Sequence, residues 1–156
     1  MKGNKLLIDA LNDRLAEELA AINQYFVHAE MCEDWGYTTL QTEIKQRSIQ
    51  EMLHAEKLIE RILFLEGKPI VSKLGPISIG KKVDEMHQKD WNAEEDAIKK
   101  YNDTIRLAAE VGDNGTKTIL EEILKEEEAH IDWLEEQQDQ IEQMGIQIYL
   151  AEQRGK

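Results

Sequence analysis

Apolar residues recur along this chain at steps of three and four, the spacing of one face of an α-helix. Four long segments carry the pattern. The first holds Leu11, Leu15, Glu18, Ile22, Tyr25, Ala29 and Cys32. The second holds Ile44, Ser48, Glu51, Ala55, Leu58, Ile62 and Leu65. The third holds His87, Asp90, Glu94, Ala97, Tyr101, Ile105 and Ala108. The fourth holds Leu120, Ile123, Glu127, His130, Leu134, Gln138 and Ile141. Helix breakers fall between these segments, at Gly36, at Gly112 and Gly115, at Gly145, and in the run holding Pro69, Pro76, Gly67, Gly75 and Gly80. The pattern predicts helices near 5–34, 38–65, 83–111 and 114–144, with a short fifth helix near 146–154. A helix of about 28 residues is roughly 42 Å long. Short connections make the first two helices one antiparallel hairpin and the next two another. Residues 66–82 are long and extended enough to cross the length of a bundle. The expected fold is all-α: a single-domain four-helix bundle over residues 1–156, with one long crossover and a short C-terminal helix.

Every seam is interrupted in mid-helix by a carboxylate: Glu18, Glu51, Glu94 and Glu127. A buried, unpaired carboxylate costs several kcal/mol or takes up a proton. Two of the four have a histidine one turn on, Glu51 with His54 and Glu127 with His130. Positions i and i+3 share a helix face, so each pair can grip one cation. Glu18 and Glu94 then bridge two metals or complete their shells. This is the arrangement of a di-iron or di-manganese site in a bundle core.

A repeat supports the reading. Glu18 and Glu94, Glu51 and Glu127, and His54 and His130 are each 76 residues apart, as are Tyr25 and Tyr101 and Gly36 and Gly112. The two hairpins read as equivalent halves, each supplying one Glu and one Glu-x-x-His. One Glu-x-x-His in a glutamate-rich helix is commonplace, and a seam glutamate often reaches out to water. Four at one depth, sharing one offset, are hard to produce by chance. Carboxylates with two imidazoles favour iron or manganese over calcium.

Composition narrows the partners. With 19 Lys+Arg and 32 Asp+Glu the net charge is −13. Nucleic-acid phosphates are repelled, whereas cations are attracted. Residues 110–156 concentrate the excess, with 13 acidic and 4 basic side chains. The single cysteine, Cys32, excludes an intrachain disulfide framework and a Cys₄ metal site. It reads as a small buried hydrophobe. No stretch resembles a membrane span, and the opening MKGNKLLIDA lacks a signal-peptide core, so a soluble cytoplasmic protein is expected.

Met52 follows Glu51 and is rotated about 100° off the ligand seam. With Glu56 and Ile59 it forms an outward stripe, and Leu19, Asn23 and Phe26 form a comparable one on the first helix. Apolar surface of this kind suggests a partner subunit. Tyr25 lies on the face of Glu18, where it serves as a hydrogen-bond or electron donor or as packing. Trp133 is an electron relay or packing. His28 and His87 read as surface or hydrogen-bonded histidines rather than ligands. Gln46 and Gln50 are neutral, which disfavours a further iron site on that face.

Five segments, MKG at the start, AINQYFVHAEMCEDWG (21–36), SIQEMLHAEKLIERILFLEG (48–67), EEAHIDWLE (127–135) and QMGIQIYL (143–150), closely resemble the bacterioferritins. The resemblance implies a ferritin-like bundle and a hollow homo-oligomeric shell of 24 subunits, assembled from two-fold dimers and storing ferric mineral. It implies a ferroxidase di-iron centre held by Glu18, Glu51, His54, Glu94, Glu127 and His130. Glu51 and Glu127 would bridge the irons, Glu18 with His54 and Glu94 with His130 completing each position. Met52 would ligate a b-type heme shared by two subunits, one sulfur from each, with Leu19, Asn23, Phe26 and Ile59 as its walls. Fe²⁺ with O₂ or H₂O₂ would be the substrates, and a ferredoxin a source of electrons for iron release. The alternatives are another di-iron or di-manganese bundle enzyme, such as a rubrerythrin-like peroxidase or a manganese catalase, or a heme-binding cage subunit with little catalysis. A rubrerythrin with a rubredoxin domain needs four cysteines, which this chain lacks.

Overall fold

A computed structural model describes residues 1–155. The helices are α1 (Lys5–Asp34), α2 (Thr38–Phe64), α3 (Val83–Glu110), α4 (Asn114–Met144) and α5 (Ile146–Glu152). α2 and α3 end one residue earlier than the apolar pattern suggests, and α5 two residues earlier. Asn4 caps α1 by accepting from the Leu7 amide at 3.1 Å, and Asp113 caps α4 by accepting from Thr116 at 3.0 Å. The two hairpin turns use Gly36 and Gly112, with φ of +82° and +75°. Space is open around both, so glycine is needed there for its backbone conformation rather than its size. No helix among the described residues is long and apolar enough to cross a membrane.

α1 packs on α2 and on α3, α3 packs on α4, and α2 touches α4, which closes the bundle. The core divides in two. One apolar cluster contains Leu7, Leu11, Leu58, Ile62, Leu120 and Ile123. The other contains Tyr25, Cys32, Leu40, Ile44, Met86 and Tyr149. Between them lies a layer of buried polar side chains from all four long helices. Cys32 is fully buried, and burial pushes its thiol up to about 12, which suits a packing role.

The crossover runs parallel to α1. Asn12 receives the Ile70 amide and donates to the Lys68 carbonyl, Gly75 donates to the Ala16 carbonyl, and Ser78 donates to the Gln24 side chain. Gly80 donates to His28 Nε2 at 3.0 Å, where a Cβ would lie 2.5 Å from the Met86 amide nitrogen. His28 Nδ1 then donates to Asp90 Oδ1 at 2.9 Å, and Gln24 donates to the same oxygen at 2.8 Å. His28 is thus a buried hydrogen-bonded histidine, the second of its two expected settings.

His87 is also buried. Its Nε2 lies 3.0 Å from the Tyr149 hydroxyl, which donates to Gln137 at 2.7 Å and so fastens α5 to α3 and α4. Burial lowers the His87 proton affinity to about 4, so the ring is neutral. At this end of α4 the buried glutamine is Gln137, not the seam position Gln138, because Tyr149 needs a partner there.

The Asp90 carboxylate holds Gln24, His28 and through them the crossover. Asp90→Ala strands these buried donors and is expected to lower stability by about 3 kcal/mol. Chemical denaturation of the variant against the parent measures it.

Candidate metal centre

Glu18 is on α1, Glu51 and His54 on α2, Glu94 on α3, and Glu127 and His130 on α4. All six are buried, none more than 3% exposed. Glu18, Glu51, His54 and Glu127 each offer a ligand atom within 4.8 Å of the others, and so do Glu51, Glu94, Glu127 and His130. The two sets share Glu51 and Glu127. The residues placed between the two positions are therefore the glutamates of the Glu-x-x-His pairs. Glu18 and Glu94 belong to one set each.

Among the described residues, ten buried side-chain atoms lack a hydrogen-bond partner. Six of them are one atom from each of these residues: Glu18 Oε2, Glu51 Oε1, His54 Nδ1, Glu94 Oε2, Glu127 Oε1 and His130 Nδ1. They approach one another closely, with His54 Nδ1 2.8 Å from Glu127 and His130 Nδ1 2.9 Å from Glu51, but are not aimed to satisfy each other. Buried groups are rarely left so. Oxygen and imidazole donors converging on two points fit a pair of first-row divalent cations.

The opposite ends of these side chains are held. The Tyr101 hydroxyl donates to Glu18 at 2.7 Å, and the Tyr25 hydroxyl donates to Glu94. Each half of the bundle thus supplies the tyrosine that orients the other half's lone glutamate. Tyr25 is a hydrogen-bond donor here, within its expected range of roles. His54 Nε2 meets Glu126, and His130 Nε2 meets Gln50. Both imidazoles are fixed from outside with Nδ1 facing the centre, as is usual for histidine ligands. Gln50 and Glu126 escaped the sequence reading as partners of the histidines. Their signal was the repeat, since they too are 76 residues apart.

Electrostatics describe a site built for positive charge. Burial, reinforced by the neighbouring glutamates, raises Glu51 and Glu127 well above the carboxylate range. Burial also pushes Glu94 up, but its contacts with Glu127 and His130 outweigh this and hold it low. At His54 burial opposes the proton, yet the Glu127 and Glu18 carboxylates raise it to about 11. Burial keeps His130 low. A cation entering this layer would displace protons, so its affinity would fall as pH falls. A cavity of about 460 Å³ between α1, α3 and the crossover reaches Glu18, Glu51, Glu94 and Glu127 from the surface beside Lys100 and Glu17.

The remaining candidates lie apart. Met52 is half-exposed on the outer face of α2, away from the six. Leu19 and Ile59 are partly buried, and Asn23 and Phe26 are exposed. Trp133 stands edge-on to His87 and beneath the Arg47 guanidinium.

An all-helical bundle whose core holds two adjoining carboxylate–histidine sets, each able to hold a metal ion, has the architecture of the ferritin-like class. The ferritin-like domain model matches residues 8–144. The chain is similar to the bacterioferritin of Brucella melitensis, at 42% identity over 149 residues, covering 96% of this chain and 92% of that protein. It is 44% identical over 147 residues to the bacterioferritin of Rhodobacter capsulatus, covering 94% and 91%. It is 37% identical over 152 residues to that of Mycolicibacterium paratuberculosis, covering 97% and 96%. The chain belongs to the bacterioferritins of the ferritin family.

If the layer is built for cations, its carboxylates strain the metal-free bundle. Glu51 holds its proton more tightly folded than unfolded, so its contribution to stability is lost as pH rises through the folded value. Glu51→Gln removes that penalty. At neutral pH the metal-free variant is expected to melt about 2–4 °C higher, as for a gain near 1 kcal/mol, while its divalent-metal binding is lost. Calorimetry with and without Co²⁺ checks both.

Proposed function

We propose that this chain stores and detoxifies iron, oxidising Fe²⁺ to Fe³⁺ at the six-residue centre and passing it to ferric mineral inside a hollow 24-subunit homo-oligomeric shell in the cytoplasm. The observation that carries the proposal is the set of six orphaned donor atoms, one per residue, converging on two adjoining positions. Fe²⁺ is the substrate. Glu18 and His54 hold one ion, Glu94 and His130 the other, and Glu51 and Glu127 lie between them as bridges. Each ion gives up one electron. Dioxygen takes both with two protons and leaves as hydrogen peroxide, or hydrogen peroxide takes both with two protons and leaves as two waters.

The chain's own groups suit this change. Four carboxylates compensate the rising charge, and carboxylate oxygen favours the harder ferric ion. Tyr25 and Tyr101 keep the lone glutamates oriented while their second oxygens face the metals. The donor set contains no cysteine. The acidic surface attracts Fe²⁺ and offers ferric ions oxygen ligands.

Met52 fits a second group. Met52 is exposed on α2, as are Leu53 on the same helix and Phe26 on α1. A b-type heme would be held there by Met52 from each of two subunits, with Leu19, Asn23, Phe26 and Ile59 as walls. When bound, it supplies a one-electron carrier for iron release, reduced by a donor such as a ferredoxin. The crossover exposes Ile70, Val71, Leu74, Ile77 and Ile79, further apolar surface for a subunit interface.

Aerobic addition of Fe²⁺ to the assembled protein is expected to give rapid oxidation. Glu18→Ala, which removes a direct ligand, is expected to slow it at least about 10-fold, since losing even an outer partner of a metal ligand typically costs about 10–100-fold. Slow oxidation in the parent, or an unchanged rate in the variant, contradicts the ferroxidase. Met52→Leu is expected to abolish the bis-methionine heme spectrum while the shell keeps its size in gel filtration. Retention of that spectrum contradicts the heme assignment.

A further inference from the structure

The two halves of the centre match ligand for ligand, so the differences between them stand out. His54 Nε2 is held by Glu126, a carboxylate about half exposed on α4. His130 Nε2 is held at the equivalent place by Gln50, a neutral carboxamide. Arg47 is a second difference. Its guanidinium lies 5.1 Å over the ring of Trp133, three residues beyond His130 on α4. The residue 76 positions further on is Ile123, buried and apolar on the other half.

Both differences act in the same sense. A carboxylate accepting from the outer nitrogen of a ligating imidazole makes its inner nitrogen a better donor than an amide oxygen does. A cation on that half of the bundle disfavours further positive charge at the Glu94–His130 position. Each position has the two shared glutamates and one tyrosine-held glutamate. Resting on the centre proposed above, we infer that Glu126 makes the two metal positions unequal. It strengthens the Glu18–His54 position over the Glu94–His130 position, so a divalent cation fills the former first. Glu126 touches no metal; it acts through His54 and is a positioning residue.

The consequence is an order of events. The first cation stays at Glu18 and His54, and the second exchanges at Glu94 and His130. The weaker position then fills only at a higher free Fe²⁺ concentration than the tighter one.

Co²⁺ titration of the assembled, metal-free protein, followed by ligand-field absorption at fixed pH, tests the inference without turnover. The parent is expected to bind two Co²⁺ per chain in two steps separated by about 10- to 100-fold in affinity. Glu18→Ala should remove the tighter step and Glu94→Ala the weaker. Glu126→Gln should weaken the tighter step until the two nearly merge. Gln50→Glu should tighten the weaker step and merge them from the other side, and it carries the test alone if Glu126→Gln fails to fold. Two equal affinities in the parent, loss of the weaker step in Glu18→Ala, or an unchanged separation in both Glu126→Gln and Gln50→Glu would overturn the inference. Two equal affinities leave the dinuclear centre itself intact. A parent that binds no Co²⁺ overturns the centre and the inference together.

Discussion

Four carboxylates and two imidazoles occupy one layer of the bundle, each nearly fully buried. Water would solvate them far better than the apolar clusters above and below. Burial therefore acts against their charge, and their proximity adds repulsion, as the upward displacement of Glu51 and Glu127 shows. Much of the surrounding architecture manages this layer. The two apolar clusters lie on either side and anchor the helices. Tyr25 and Tyr101 satisfy one oxygen of each lone glutamate, and Gln50 and Glu126 satisfy the outer nitrogen of each imidazole. The inward atoms remain unsatisfied, and it is these that the proposed pair of cations would resolve.

The internal repeat shows how such a layer is assembled. Two copies of a helical hairpin, 76 residues apart, each contribute one lone glutamate, one Glu-x-x-His, one tyrosine and one outer partner for a histidine. Every orienting contact runs between copies: Tyr25 serves Glu94, Tyr101 serves Glu18, Glu126 serves His54, and Gln50 serves His130. Neither hairpin has a satisfied centre alone. The crossover is the one long element without a counterpart. It is fixed by Asn12, Gln24 and His28 along α1, with buried Asp90 on α3 behind them. It leaves apolar side chains exposed on the outer surface, where a subunit interface is proposed.

The four-helix architecture and the composition of the buried polar layer were legible in the chain because both rest on helical periodicity. A carboxylate that interrupts an apolar seam at a shared depth is visible without coordinates, and so is a histidine one turn on. The lone glutamates' role was not, since periodicity places Glu18 and Glu94 at the right depth without saying which pair lies between two cations. Gln50 and Glu126 were missed because they sit at water-facing positions, where charge and polarity usually have no particular partner. Gln137 replaced Gln138 because burial there is decided by α5, whose Tyr149 arrives from a separate element. His28 and His87 were narrowed to hydrogen-bonded or surface residues, and only tertiary packing shows both to be buried, held by Asp90 and Tyr149.

The central claim is that the buried polar layer is a two-metal centre with Glu51 and Glu127 between the ions. Anomalous diffraction from crystals of the assembled protein, grown metal-free and soaked in Fe²⁺ without oxygen, tests it most directly. The account predicts two iron peaks per chain inside the bundle, about 3.5–4 Å apart. Glu51 and Glu127 should contact both, with Glu18 and His54 at one and Glu94 and His130 at the other. A single peak, or iron bound only at surface carboxylates while the six donors stay unligated, would contradict it.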